Sequence, residues 1–437
     1  MEHAMSNLAC CTPATLALSI SLLAAAGAVA QAAPSAPVPV TKPASTAIAI
    51  AAFNMAWAGT MDDFKRYLEV CGAPSVNWCD TRARTLRGAA GPTPEEAARA
   101  RQCEASILNA AGGPDASMLI APCNAYRVSQ PFVSGAPPVD QAPARKPEAY
   151  AEKLKGLRST VERVIEQEHV AVLAFQEVKS RAVIETVLGK FASRFEICVA
   201  QHDAFQTIAF AWEKNVTSKP GVCTTHSALA IKDPPNDPAA FRRVRPGLAL
   251  ELTINNAPVT FLNVHLKSNC ANIVATERYP ARLLTDATEA CEVINRQVPI
   301  LEDWIDGIAA KSPRLVWLGD FNRRIDDEAA ANIARDQVRT DGSDPAGPNK
   351  VSTDGKVATK YLWQELSDGA PTLHQVPLST TEGGCTGFQG LDHIVISDAL
   401  KAINPGTIQS RKVRVDNAPG QVIETSDHCP RVVRLQF

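Results

Sequence analysis

Aromatic residues are scarce in this chain, 5% of 437. No run of Trp and Phe forms a hairpin suited to entering a bilayer, which disfavours action at a lipid surface. No C-x-x-C pair occurs, and no cysteine has histidines at the spacing of a structural zinc site. The G-x-S-x-G, H-E-x-x-H and P-loop signatures are also missing, so the corresponding hydrolase plans are excluded. There is no internal repeat. Nor does one sign of charge dominate: 44 basic against 46 acidic residues leave a formal net charge of −2. A polyanionic partner would have to be met by local features or by metal ions.

What is present is an ordinary globular composition, 45% hydrophobic and 21% charged, with enough apolar material for a large core. One large domain with insertions is the leading reading at this length. Ala14 to Ala30, "ATLALSISLLAAAGAVA", is an apolar run closed by the small-x-small pattern Ala28, Val29, Ala30. It reads as a secretory signal over residues 1–30, although only Glu2 and His3, and no Lys or Arg, precede it. A membrane anchor is the competing reading, and the run is short for spanning. Leu8, Ala9 and Cys10 hint at a lipoprotein box, but no apolar segment comes before them. Residues 31–45 form a Pro/Ala linker, and 46–437 the folded domain.

Of the twelve cysteines, Cys10 and Cys11 would leave with the signal. The remaining even set, Cys71, Cys79, Cys103, Cys123, Cys198, Cys223, Cys270, Cys291, Cys385 and Cys429, argues for disulfides and an oxidising compartment, periplasmic or extracellular. Pairing of sequence neighbours into five short staples is the simplest expectation.

"TAIAIAAFNMAW" reads as a buried strand. Residues 58–146 are Gly/Pro/Ala-rich, hold four cysteines and look like a disulfide-stapled insertion. Tyr150, Leu154, Leu157, Val161 and Val164 then recur at helical spacing and make one apolar face. Strands are predicted at 170–178, 207–213, 248–254, 259–267, 314–322, 391–397 and 431–437, helices near 150–168, 181–190 and 284–310, and a surface loop at 340–356. This mixture indicates an α/β layered fold. "FRRVRP" (241–246) and the pair Arg323, Arg324 are the basic clusters, each read first as a solvated loop.

Polar groups gather at the ends of these runs. Asn54 closes the first, Gln176 and Glu177 the second; His265 ends another, and "WLGDFN" delivers Asp320 and Asn322. Asp392 opens "LDHIVIS", and Asp427 and His428 stand just before the last run. A single strand-end carboxylate is usually a turn cap, and a lone histidine a satisfied core residue. Their joint occurrence points to an active site.

The segments "FNMAW", "LAFQEV", "NVHLKS", "WLGDFN", "LDHIVIS" and "SDH", in this order, resemble the endonuclease/exonuclease/phosphatase (deoxyribonuclease I-like) superfamily, and "HLKS" followed by a cysteine resembles its secreted bacterial members. The resemblance spans about Ile48 to Phe437. It implies a four-layered α/β sandwich of two packed mixed β-sheets flanked by helices. It makes Glu177 the main ligand of a divalent metal ion, Mg2+ first and Mn2+ or Ca2+ next, with Asn54 close by and Asp427 a second acidic contact. His265 and His428 would flank the scissile phosphate, Asp392 would orient His428, and Asp320 with Asn322 would position the attacking water and a phosphoryl oxygen. Hard oxygen donors suit such ions, and phosphodiester hydrolysis needs a deprotonated water, a neutralised phosphorus centre and a protonated leaving oxygen.

Arg245 is implied as a substrate-binding arginine, with Arg243 as easily drawn, and Lys267 within reach of a phosphate. A glutamate partner for His265 has no clean equivalent around "QHDAFQTIAFAWEKN", where Asp203 and Gln206 are the candidates. The expected activity is that of a secreted metal-dependent nuclease acting on DNA or RNA, with no membrane anchoring after signal removal and no protein partner inferable. A phosphomonoesterase or lipid phosphodiesterase, of the sphingomyelinase or inositol-phosphate phosphatase type, would share the same core. A binding protein on a degenerate scaffold is the non-enzymatic alternative.

Overall fold

In the computed structural model the described residues are 47–76, 79, 94–126, 146–235, 237–238, 240–274, 283–284, 288–331, 361–367, 371–381 and 390–437. The expected signal, the linker and the 340–356 loop lie outside them. The strands are β1 (Ala47–Ala58), β2 (Val170–Val178), β3 (Phe195–Val199), β4 (Thr207–Glu213), β5 (Val222–His226), β6 (Gly247–Ile254), β7 (Ala257–His265), β8 (Leu315–Asp320), β9 (Leu373–Gln375), β10 (Leu378–Thr381), β11 (Asp392–Ser397), β12 (Ser410–Lys412) and β13 (Arg431–Gln436). The helices are α1 (Met61–Cys71), α2 (Pro94–Ala111), α3 (Pro114–Met118), α4 (Pro147–Glu168), α5 (Arg181–Leu188), α6 (Glu289–Ala309), α7 (Ile325–Ala331), α8 (Leu362–Ser367) and α9 (Asp398–Ile403). None of the described helices is long and apolar enough to cross a membrane.

Two mixed sheets result, in the order β10-β12-β13-β1-β2-β4-β3 and β5-β6-β7-β8-β11-β9. Side chains alternate across a strand, so each apolar run feeds two cores. Ile48, Ile50 and Ala52 of β1 meet Phe261 of β7 and Leu318 of β8 between the sheets. Ala49, Ala51 and Phe53 instead face Leu154, Leu157, Val161 and Val164 of α4. On the outer face of the second sheet, Leu262 and Trp317 pack on Ile294, Val298, Leu301 and Ile305 of α6. The layers therefore run helix, sheet, sheet, helix, and the expected four-layered sandwich is the one observed. Each fully buried aliphatic side chain contributes roughly 1.5–3 kcal/mol of transfer free energy before ordering costs.

The sheets are also latched by polar groups. Asn263 of β7 donates through Nδ2 to the carbonyls of Phe175 (3.0 Å) and Ala209 (2.9 Å) in the other sheet. Its Oδ1 accepts from Gln176 Nε2 at 2.7 Å. Gly319 lies beside this latch at φ +135°, where an added Cβ would fall 2.2 Å from the Val264 carbonyl oxygen. The glycine before Asp320 is thus required by the close approach of β7.

Four disulfides fall among the described residues: Cys71–Cys123, Cys79–Cys103, Cys198–Cys223 and Cys270–Cys291. The last two join sequence neighbours as expected. The first two correct that expectation: they are nested. The C-terminal end of α1 is pinned to the segment after α3, so Cys71 reaches past the inner pair. Cys385 lies outside the described residues.

Candidate active site

Strand register assembles the centre. β7 and β8 are parallel with His265 opposite Asp320, and β8 and β11 are antiparallel with Asp320 opposite Asp392. Three strand ends thus set an imidazole and two carboxylates side by side on one sheet edge. From the other sheet, β1 and β2 pair Asn54 with Gln176, one residue before Glu177. Glu177 takes a left-handed backbone (φ 57°), as do Ala56 (φ 49°) and Trp57 (φ 64°), an irregularity at the strand ends next to the centre.

The two sets meet across the seam between the sheets. Asn54 Nδ2 donates to Asp320 Oδ2 at 3.0 Å, and Trp57 N–H donates to Glu177 Oε2 at 3.0 Å. His265 Nε2 stands 3.7 Å from Glu177 Oε1 and 3.5 Å from Asp320 Oδ2. His428 Nε2 stands 3.8 Å from Asp320 Oδ2 and 4.0 Å from Asp427 Oδ1. His428 Nδ1 is 2.8 Å from Asp392 Oδ1, while Asp392 Oδ2 accepts from Lys412 Nζ at 2.7 Å. A cavity of about 470 Å³ opens over Glu177, His265, Asp320, Asn322, Asp427 and His428. The eight residues expected at the centre are all found there.

Burial and neighbouring charge set the protonation states. For His428, burial favours the neutral ring, but the charge and hydrogen bond of Asp392, with Asp320 and Asp427, outweigh it and push the ring up to about 10. Burial raises Asp392, yet His428 and Lys412 hold it well below the usual carboxylate range. His428 and Asp392 are therefore an imidazolium–carboxylate pair. Burial, then Arg245 and His428, drive His265 well below its ordinary value, so its ring is neutral. Burial and Asp392 bring Asp320 to about 6, against His428 and the hydrogen bonds from Asn322 and Asn54. Burial, then Asp427, brings Glu177 to about 7.

Carboxylates gathered with too little positive charge fit a hard divalent cation. Asp320, Asp392 and His428 offer ligand atoms within 4.8 Å of one another. That trio is nevertheless a poor cage, because both Asp392 oxygens and His428 Nδ1 are spent on each other and on Lys412. The raised Glu177, with Asp427 half-exposed at its side, is the better place for the ion.

Some expected residues stand elsewhere. Arg245 Nε donates to the His265 carbonyl at 3.0 Å, and a terminal nitrogen to Leu266 O, so it braces the strand end beneath the imidazole. Arg243 is exposed and donates to Ala230 O at 3.1 Å. Lys267 is held by Asp233 at 2.6 Å. None of the three faces the cavity over the centre; they line a second one, of about 540 Å³, beside it. Asn322 Nδ2 is bonded to Leu266 O at 3.0 Å, and its N–H holds Asp320 Oδ1 at 2.9 Å, so it orients the carboxylate. The solvated-loop reading of Arg323 is corrected: it is fully buried against Glu328 at 2.8 Å.

Of the two candidates for the partner of His265, Gln206 is the one observed, with Nε2 3.1 Å from Nδ1. Donation from the amide to Nδ1 leaves the ring proton on Nε2, facing Glu177 and Asp320. Lys153 was not anticipated. Its Nζ donates to the carbonyls of Met55 (3.1 Å), Thr425 and Glu424, tying β1 to the loop that carries Asp427 and His428. Burial pulls this lysine down to about 8. The available signal was a charge on the apolar stripe of α4, three residues after Tyr150.

No family model and no curated protein matches the sequence. Among solved structures, the chain is similar to truncated TDP2 from Caenorhabditis elegans, at 14% identity and a TM-score of 0.38, covering 65% of this chain and 92% of that one. An endonuclease/exonuclease/phosphatase family protein from Bacteroides thetaiotaomicron aligns at 10% identity and a TM-score of 0.38, covering 66% and 92%. The human Nocturnin catalytic domain aligns at 12% identity and a TM-score of 0.37, covering 65% and 87%. These likenesses are of overall architecture.

Proposed function

We propose that the chain is a divalent-metal-dependent phosphodiesterase of the endonuclease/exonuclease/phosphatase superfamily, a nuclease acting on DNA or RNA in an oxidising extracellular or periplasmic compartment. The observation that carries this reading is the convergence of Glu177, His265, Asp320 and His428 from five separate chain segments, counting Asn54, around one cavity. The disulfides support the compartment.

Glu177, with Asp427 and Asn54 beside it, would hold the ion, which when bound neutralises phosphate charge and acidifies water. The side chains supply the rest. Asp320, fixed by Asn54 and Asn322, takes a proton from the attacking water as its oxygen bonds to phosphorus. His265, uncharged and with Nε2–H turned inward, donates to a phosphoryl oxygen. His428 carries a proton at Nε2 and delivers it to the leaving oxygen as the P–O bond breaks; Asp392 stabilises the charged ring beforehand.

A substrate panel tests this: supercoiled DNA, RNA, sphingomyelin, inositol phosphates and a bis(nitrophenyl) phosphodiester, each with Mg2+, Mn2+, Ca2+ or chelator. Nucleic acid is expected to be cut with metal only, and His265→Ala to lose the activity. Preferential cleavage of sphingomyelin or of phosphomonoesters would overturn the nuclease reading. Inertness toward every ester, with no metal binding at Glu177, would leave a binding protein.

A further inference from the structure

Two cavities diverge from the reaction centre. They share Trp57, Asn124, Glu177, His265 and Ser268 and run toward different elements. The first ends on the 268–272 and 423–428 segments. The second is walled by α2, anchored through Cys79–Cys103, and by the segment 242–245. A phosphomonoester has one substituent on phosphorus and needs one cleft; a diester inside a chain has two.

The second cleft is locally basic in a chain that is slightly acidic overall. Arg101, Arg242, Arg243, Arg245 and Lys267 line it against Glu104, Glu177 and Asp233. Lys267 is neutralised by Asp233, but the Arg242–Glu104 pair is 3.8 Å apart with both side chains about half exposed, too loose to quench the charge. At the junction stands Trp57, whose N–H is held by Glu177, whose carbonyl accepts from Tyr126 Oη at 2.8 Å, and whose ring is backed by Phe205 at 6.2 Å between centroids. His202 lines the same cleft and has a buried Nε2 with no hydrogen-bond partner among the described residues. An aromatic face fixed at the mouth of a basic cleft is what an unpaired base and its phosphate require.

We propose that this second cleft is a subsite for the unpaired nucleotide flanking the scissile phosphate, its base on Trp57 and its own phosphate toward Arg101 and Arg242. The inference rests on the nuclease reading above and narrows it to single-stranded or unpaired polynucleotide, gripped by the insertion.

The test is the affinity of the intact, oxidised protein with Mg2+ for a labelled, phosphorothioate-linked single-stranded oligonucleotide, beside a duplex of the same sequence. The double variant Arg101→Ala/Arg242→Ala is expected to raise Kd about tenfold and to reduce the slope of log Kd against log salt by about 0.7, one phosphate's worth on a single strand. Trp57→Leu is expected to raise Kd by about tenfold with little change in that slope. An unaltered Kd in both variants, no binding by the wild type, or duplex binding as tight as single-strand binding would overturn the subsite. Failure of the nuclease reading is seen separately, as wild-type protein that binds the oligonucleotide but hydrolyses no phosphodiester.

Discussion

Nδ1 of His428 lies 2.8 Å from Oδ1 of Asp392, so that one contact fixes the ring's orientation and keeps it charged. Lys412 and His428 both face Asp392 and, against burial, hold its carboxyl well below the usual carboxylate range.

Replacing Asp392 by Asn removes the negative charge that offsets burial, and the ring of His428 falls from about 10 toward or below the ordinary 6.5. Wild-type kcat/KM should therefore hold on the alkaline side, while the variant loses activity as pH rises through about 6.5. The expected loss is about 10²-fold or more at pH 8 and smaller at pH 5.5. A loss equal at every pH would contradict an acid role for His428.

Lys153→Met should leave the carbonyls of Met55, Glu424 and Thr425 without their shared donor. The cost is about 1–3 kcal/mol for each group left unsatisfied. Urea unfolding measures the stability, and metal titration should show weaker binding, since the loop bearing Asp427 is no longer tied to β1.

His393 is buried, with Nε2 donating to the carbonyls of Arg323 (2.9 Å) and Gly390 (3.0 Å). Burial, then Arg431, brings it down to about 4, below the 6.5 of an exposed histidine. The unfolded chain thus binds the proton first as pH falls. Its contribution is full above about pH 6.5 and is lost as pH drops through about 4, a change of the order of a few kcal/mol. Urea midpoints between pH 7 and 4 should fall in wild type and fall less in His393→Gln.

Cys71 and Cys123 close a loop with a sequence separation of 52, which in the chain-entropy picture stabilises the fold by about 4 kcal/mol. The paired replacement Cys71→Ser/Cys123→Ser should lower Tm measurably. Mass mapping of non-reduced peptides should find Cys71 joined to Cys123 and Cys79 to Cys103, not Cys71 to Cys79.

The centre was legible in the sequence because its residues sit at the ends of long apolar strands, whose burial fixes the register. The face of α4 was legible for the same reason: Tyr150, Leu154, Leu157, Val161 and Val164 are all buried. Short strands at or next to a sheet edge were not. β5 (Val222–His226) and β12 (Ser410–Lys412) are polar runs of five and three residues that exist only by pairing, β5 with β6 and β12 with β10 and β13. Lys412 therefore had no local signal, although it settles the charge of Asp392. The nested disulfides escaped because loop length favours near neighbours, whereas the packing of α1 beside the segment after α3 decides which sulfurs meet.

Asn54–Asp320, Glu177–His265 and Lys412–Asp392 each bring one sheet against the other, so neither half of the sandwich holds the centre alone. Under the proposed function, hydrolysis would be a gauge of how the two layers are aligned. A slip of one ångström between them would then silence the proposed activity while every strand kept its hydrogen bonds, and inactivation on warming would precede the loss of secondary structure.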